Sequence, residues 1–297
     1  MNDNKTLRNY LLWAFGLAWP LQILASWLAV QKGNTTAFTY ILALSMFAPL
    51  AAVWLSKAPL RSIGWKLNLK GNVRRYLAAW LLPPVICALG AALYYLLFPA
   101  YFDGTGAAYL ATLPAGAAEQ MEAQGLPVPV LFLISALGAV TYAPFLNVIP
   151  CVGEEAGWRG FLTPHLSERF GRVKGLLLSG AIWGVWHWPV IILAGYEYGL
   201  TYRGAPVLGP LLFCFITTAL GILLSFLYDK VGSVWVCALA HGAFNAFAAT
   251  PSLFLNPGSG YQQTVGPYAV GVIGGLPLLL LAAFVLLKKK PAESAAE

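Results

Sequence analysis

Eight apolar runs of about twenty residues take up most of this chain, and a run of that length leaves few folds open. In hydrocarbon every backbone N–H and C=O must find an internal partner, so a long apolar run with few charges closes on itself as a spanning helix. The runs are 10–30, 37–55, 76–98, 128–151, 176–193, 208–228, 231–250 and 269–287. Of the 297 residues, 59% are hydrophobic and only 10% charged, whereas roughly a quarter of a soluble domain is charged. The predicted fold class is all-α: a polytopic membrane helical bundle of about eight transmembrane helices, with residues 1–297 as a single integral-membrane domain. The first run is longer than a signal-peptide core and lacks a small-residue cleavage site, so it reads as a retained helix.

The basic residues sit in the short connections rather than on a face with interleaved aromatics, which argues against nucleic acid as a partner. If both termini are cytoplasmic, sixteen of the eighteen Lys and Arg fall on the cytoplasmic side, and only Lys32 and Arg203 lie outside. A miscounted span would invert every later connection, so this asymmetry predicts N-in/C-in. Short loops and the lack of an organelle address fit a multi-pass protein of a prokaryotic plasma membrane. Connection 57–75 carries six basic residues among Leu60, Ile63, Trp65, Leu67 and Leu69, the composition of a segment lying on anionic lipid. The Gly-, Ala- and Pro-rich outer segment 99–127 predicts little regular structure, and the tail after Lys290 predicts fraying. The four cysteines are widely spaced in or beside apolar runs and read as packing residues.

Against this background the ionisable residues inside the runs are functional candidates, because each costs several kcal/mol in hydrocarbon unless paired or wet. They fall in a core at about 128–250. In Gly153-Glu154-Glu155-Ala156-Gly157-Trp158-Arg159, a helix puts Glu155 and Arg159 on one face at pairing distance. Glu154 then points about 100° away, free to face a cavity and handle a proton. A structural lock at the membrane boundary is the other reading of this group. His187 lies in Trp183-Gly184-Val185-Trp186-His187-Trp188-Pro189, where it is either a hydrogen-bonded packing residue or a proton-handling one. His241 and Asn245 stand one turn apart on one face of the seventh run, where the plainer role is hydrogen bonding between helices.

Phe170-Gly171 is the expected turn between the first two motifs, and each motif lies about sixteen residues from it. On antiparallel helices Glu154 and His187 reach equal height, about 24 Å from the turn. His241 is about ten residues from the Asp229-Lys230 turn, so it approaches from the same side, and a cytoplasm-facing cavity is the expectation. Stretch 128–169 is too long for one straight crossing, and Pro144, Pro150 and Gly153 are the places to break it. Alternatively, Glu154 sits at the interface and His187 reaches down to it.

Taken in order, these motifs resemble the CPBP (CAAX protease/bacteriocin-processing, Abi) family of intramembrane proteases, related to the type II CAAX prenyl endopeptidases. The family pattern is Glu-Glu-x-x-x-Arg, then Phe-x-x-x-His, then His-x-x-x-Asn. Here Glu154, Glu155 and Arg159 match the first motif, and His241 and Asn245 the third. In the second, Trp183 stands where Phe is usual and His187 is retained. The resemblance implies an intramembrane endopeptidase with Glu154 as general base and His187 positioning the water. His241 and Asn245 would stabilise the oxyanion, with Glu155, Arg159 and Trp183 supporting. It also implies membrane lipid and a membrane-associated or lipidated peptide or protein substrate as partners. No Ser or Cys beside a base competes as nucleophile. No cofactor is required on this reading. The alternative is Zn2+ held by Glu154, His187 and His241. Other functions for the same residues are a proton-coupled membrane transporter and a non-catalytic bacteriocin-immunity protein.

Overall fold

Helices form in all eight apolar runs, and proline and glycine decide where they break. The computed structural model describes residues 3–110, 116–256 and 262–288; Lys289, Lys290 and the tail, used in the charge count and the fraying expectation, lie outside them. The first four helices are α1 (Asp3–Lys32), α2 (Thr35–Ser45), α3 (Ala48–Leu55) and α4 (Val73–Leu97). Short α5 (Ala107–Leu110) and α6 (Ala117–Ala123) follow in the outer segment expected to be irregular. The rest are α7 (Val128–Val140), α8 (Ala143–Gly157), α9 (Thr163–Phe170), α10 (Arg172–Trp186), α11 (Trp188–Ala194), α12 (Leu208–Val231), α13 (Val234–Phe247) and α14 (Leu276–Leu287). Among the described residues no strand forms beyond one antiparallel bridge between Phe102 and Leu255.

The fold is an all-α polytopic bundle, as expected. Among the described residues five helices are long and apolar enough to cross a bilayer, and six if the 49° bent pair Val128–Val140 and Ala143–Phe170 makes one span. The seventh expected span shrinks to the 14-residue α13 and the eighth to the 12-residue α14. At 1.5 Å per residue these reach about 21 and 18 Å, short of the roughly 30 Å hydrocarbon layer. The cause is local: Pro251 and the Gly- and Pro-rich stretch before Leu276 fold as 3-10 helix and turns. Large apolar side chains such as Leu96, Leu137, Ile149 and Leu280 are more than half exposed, as lipid-facing residues are when no soluble surface covers them. The chain is an integral, multi-pass membrane protein.

The break in stretch 128–169 comes at Thr141-Tyr142, just before Pro144 in the first turn of α8, while Pro150 lies within α8. Pro lacks an N–H and fits the first helical turn, so Pro144 starts a helix that the preceding one cannot continue. The same chemistry splits the fifth span. Pro189 opens α11, and His187 becomes the hinge residue between α10 and α11.

Small residues bring the site helices together. A Cβ on Gly180 of α10 would stand 2.4 Å from the Thr218 Cα of α12, and one on Gly184 would stand 2.6 Å from the Cys214 Cα. Thr217 Oγ1 completes the seam by donating to the Gly180 carbonyl at 3.0 Å. Gly180→Val is therefore expected to destabilise the protein by about 1–3 kcal/mol through overpacking, read as thermal unfolding in detergent. An unchanged transition would mean that α10 and α12 are farther apart.

Candidate active site

The acidic pair lies in the last turn of α8, and a turn of π-helix, Trp158–Leu162, follows it directly. Such turns concentrate at functional sites. Arg159 nevertheless reaches Glu155, Nη1 to Oε1, at 3.1 Å, and both are almost wholly buried, at 2% and 0% exposure. Arg159 is thus an interior charge rather than a loop charge, and it drops out of the cytoplasmic count. Its guanidinium also lies 4.1 Å from the centre of the Trp183 ring, a cation–π contact that fixes the plane of the fork.

Glu155 has a second partner. The Nδ1 of His241, brought by α13, is 2.9 Å from Glu155 Oε1. A carboxylate accepts, so Nδ1 carries the hydrogen and Glu155 sets the orientation of the ring. Glu154 faces the other way. Its Oε2 accepts from the indole N–H of Trp158 at 3.1 Å and from that of Trp183 at 2.5 Å. Trp183 is therefore more than an aromatic wall: it touches Glu154, the guanidinium of Arg159 and, edge-on at 5.2 Å, the ring of His241. Tyr10 of α1 closes the back, fully buried with its ring against Trp158 and Phe161.

His187 is held by its own turn. Its Nδ1 is 3.0 Å from the Trp183 carbonyl, and Trp186, Phe213 and Tyr196 surround the ring. Glu154, Trp183, His187, His241 and Asn245 all line one cavity of about 160 Å³. The chain thus brings the four expected catalytic residues, from α8, the α10–α11 hinge and α13, to one hollow. Glu155 and Arg159 stand behind it.

Three features differ from the sequence expectations. The cavity lies toward the end of the bundle where α10 and α13 finish and α12 begins, its wall including Tyr196, Glu197, Ala248, Ala249 and Val270. The basic residues Arg172, Lys174 and Lys230 mark the opposite end, so the cavity is not on the basic side. Sixteen residues from the basic turn is already more than half the membrane thickness, which is why counting depth from that turn leads to the far end. Second, a thiol does stand beside a base. Cys151 is one turn before Glu155, within hydrogen-bonding reach of His241 and 3.9 Å from Asn245 Nδ2. Third, Tyr196 and Glu197 enter the cavity from the loop after α11, carried by no motif; the trace they leave in sequence is an acid flanked by tyrosines just past an apolar run.

Among the described residues no three His, Cys, Asp or Glu side chains stand close enough together to share a metal ion.

A helical membrane bundle that gathers an acid, two histidines and an amide around one interior hollow is built to handle a polar group away from bulk water. Residues 128–247, the stretch that carries all three motifs, match the family model for type II CAAX prenyl endopeptidase Rce1-like proteins. A curated relative, CAAX prenyl protease 2 of Methanococcus maripaludis, is 38% identical over 72 residues, which make up 24% of this chain and 22% of the relative.

Proposed function

We propose that the protein is a CAAX-protease-like intramembrane endopeptidase in which Glu154 activates a water molecule. The observation that carries this reading is the placement of Glu154: one carboxylate oxygen is fixed by two indole donors, and the group opens on the cavity it shares with His187, His241 and Asn245. Glu154 takes a proton as the water oxygen attacks the scissile carbonyl carbon, and His187 orients that water. His241, aligned through Glu155, and Asn245 donate to the oxyanion that develops. Collapse of the tetrahedral adduct breaks the C–N bond, and Glu154 returns the proton to the departing amine. Cys151 is the rival nucleophile by chemistry, but it is fully buried and takes no part in the cavity wall. The substrate is a membrane-anchored peptide, lipidated on the pattern that the relative's name describes.

The test is reconstitution of the purified protein into liposomes with internally quenched, S-farnesylated peptides, with cleavage followed by fluorescence and mass spectrometry. Cleavage at one bond is expected. Solute or proton flux across the same liposomes without cleavage would sink the reading in favour of transport. On the metal-free reading, activity is expected to survive 1,10-phenanthroline; complete loss restored by added Zn2+ would reverse that assignment.

A further inference from the structure

Glu197 is a carboxylate on the wall of the catalytic cavity, and among the described residues no basic side chain answers it. We propose that Glu197 is a specificity-determining residue that binds a Lys or Arg side chain of the substrate beside the scissile bond; this rests on the endopeptidase reading above. It lines the same hollow as Glu154, His187 and His241, on the face contributed by the loop after α11. Among the described residues no Lys, Arg or His pairs with it, and its polar neighbour is the Tyr196 hydroxyl. Burial pushes its carboxyl above the usual carboxylate range. Its side chain is half-buried, and a carboxylate partly removed from water without a counter-charge is unfavourable; a cation arriving with the substrate supplies what the chain omits.

The backbone points the same way. Glu197 has φ +67°, a left-handed conformation that glycine adopts freely and that a larger residue holds only under strain. Glycines occupy the other left-handed positions of this loop, Gly195 at +68°, Gly199 at +74° and Gly204 at +91°. The turn is pinned on both sides of Glu197. Tyr198 is fully buried and donates its hydroxyl to the Val270 carbonyl at 2.9 Å, and the Tyr196 ring lies parallel to that of His187 at 6.5 Å. A carboxylate is thus held at a fixed place where glycine would be the relaxed choice.

Cavity size limits where the substrate charge can be. A hollow of 160 Å³ is about 7 Å across, the length of two extended residues, so the cation belongs to a residue adjoining the cleaved bond or to the next one. The same field repels a substrate carboxylate at that point, which disfavours a free C-terminus seated against Glu197.

Three lipidated quenched peptides decide the matter, alike except for Lys, norleucine or Glu at the residues flanking the cleaved bond. With Glu197→Gln, kcat/KM for the Lys peptide is expected to fall at least about tenfold while the norleucine peptide stays within about twofold. Glu197→Lys is expected to turn the preference toward the Glu peptide. An equal loss for all three peptides, or an undiminished Lys preference in Glu197→Gln, overturns the proposal. Binding separates it from the reading it rests on. The Glu154→Gln protein is expected to hold the Lys peptide more tightly than its norleucine twin, and the Glu154→Gln/Glu197→Gln protein is not. If the wild type cleaves nothing, the endopeptidase reading fails, while this binding difference still decides for or against a cation site at Glu197.

Discussion

Replacing Glu154 by Gln is expected to lower kcat for peptide cleavage about 10²- to 10⁴-fold, the usual contribution of a positioned general base, while leaving the protein folded. The amide keeps the shape of the side chain, and its carbonyl oxygen can still accept from Trp158 and Trp183, so the packing around it need not change. What it loses is the ability to take a proton from water. A barrier increase of about 3–5 kcal/mol with KM little altered is the pattern for a group acting in the transition state. Cys151→Ala is the companion measurement. If it abolished turnover while Glu154→Gln spared it, the nucleophile would be the thiol, with His241 and Asn245 as its partners.

Glu155→Ala is expected to act on stability first, costing about 3–5 kcal/mol, because removing one member of a buried ion pair strands the other charge. Glu155 accepts from Arg159 at 3.1 Å and from His241 at 2.9 Å, so one substitution leaves a buried guanidinium without its carboxylate and a histidine ring without its anchor. Replacing Glu155 and Arg159 together by Met should restore much of the lost stability, as exchange of a whole buried pair for apolar side chains commonly does. It should not restore cleavage, since His241 remains unaligned. Unfolding in detergent monitored by tryptophan fluorescence, read beside kcat, tests both halves. A loss below about 0.5 kcal/mol for Glu155→Ala would mean that Arg159 is solvated and the ion pair is not buried.

Helical spacing carried the local part of this site. The four-residue interval from Glu155 to Arg159, the opposed direction of Glu154 and the shared face of His241 and Asn245 follow from 3.6 residues per turn, and the geometry agrees with each. Contacts across the fold were not legible in the same way. The bond between Glu155 and His241 joins residues 86 positions apart, and that between Trp183 and Glu154 joins residues 29 apart; no periodicity encodes them. Cys151 shows the cost of reading chemistry along the chain alone: its neighbours in sequence are apolar, and the base beside it comes from α13. The lengths of the last two helices were hidden for a related reason. Hydropathy registers how apolar 231–250 and 269–287 are but not that Pro251 and the glycines before Leu276 shorten the helices within them.

The first helix carries a consequence for what may be cut away. Trp186, next to the hinge histidine, donates its indole N–H to the Ala14 carbonyl, and Trp19 donates to the Trp186 carbonyl, while Tyr10 backs the acidic pair. All three residues of α1 lie more than a hundred positions upstream of the segment that family comparison recognises. That segment is accordingly no self-contained bundle: excised, it would lose the contacts at the back of its buried charges, and the N-terminal helix belongs with the candidate site as much as any motif does.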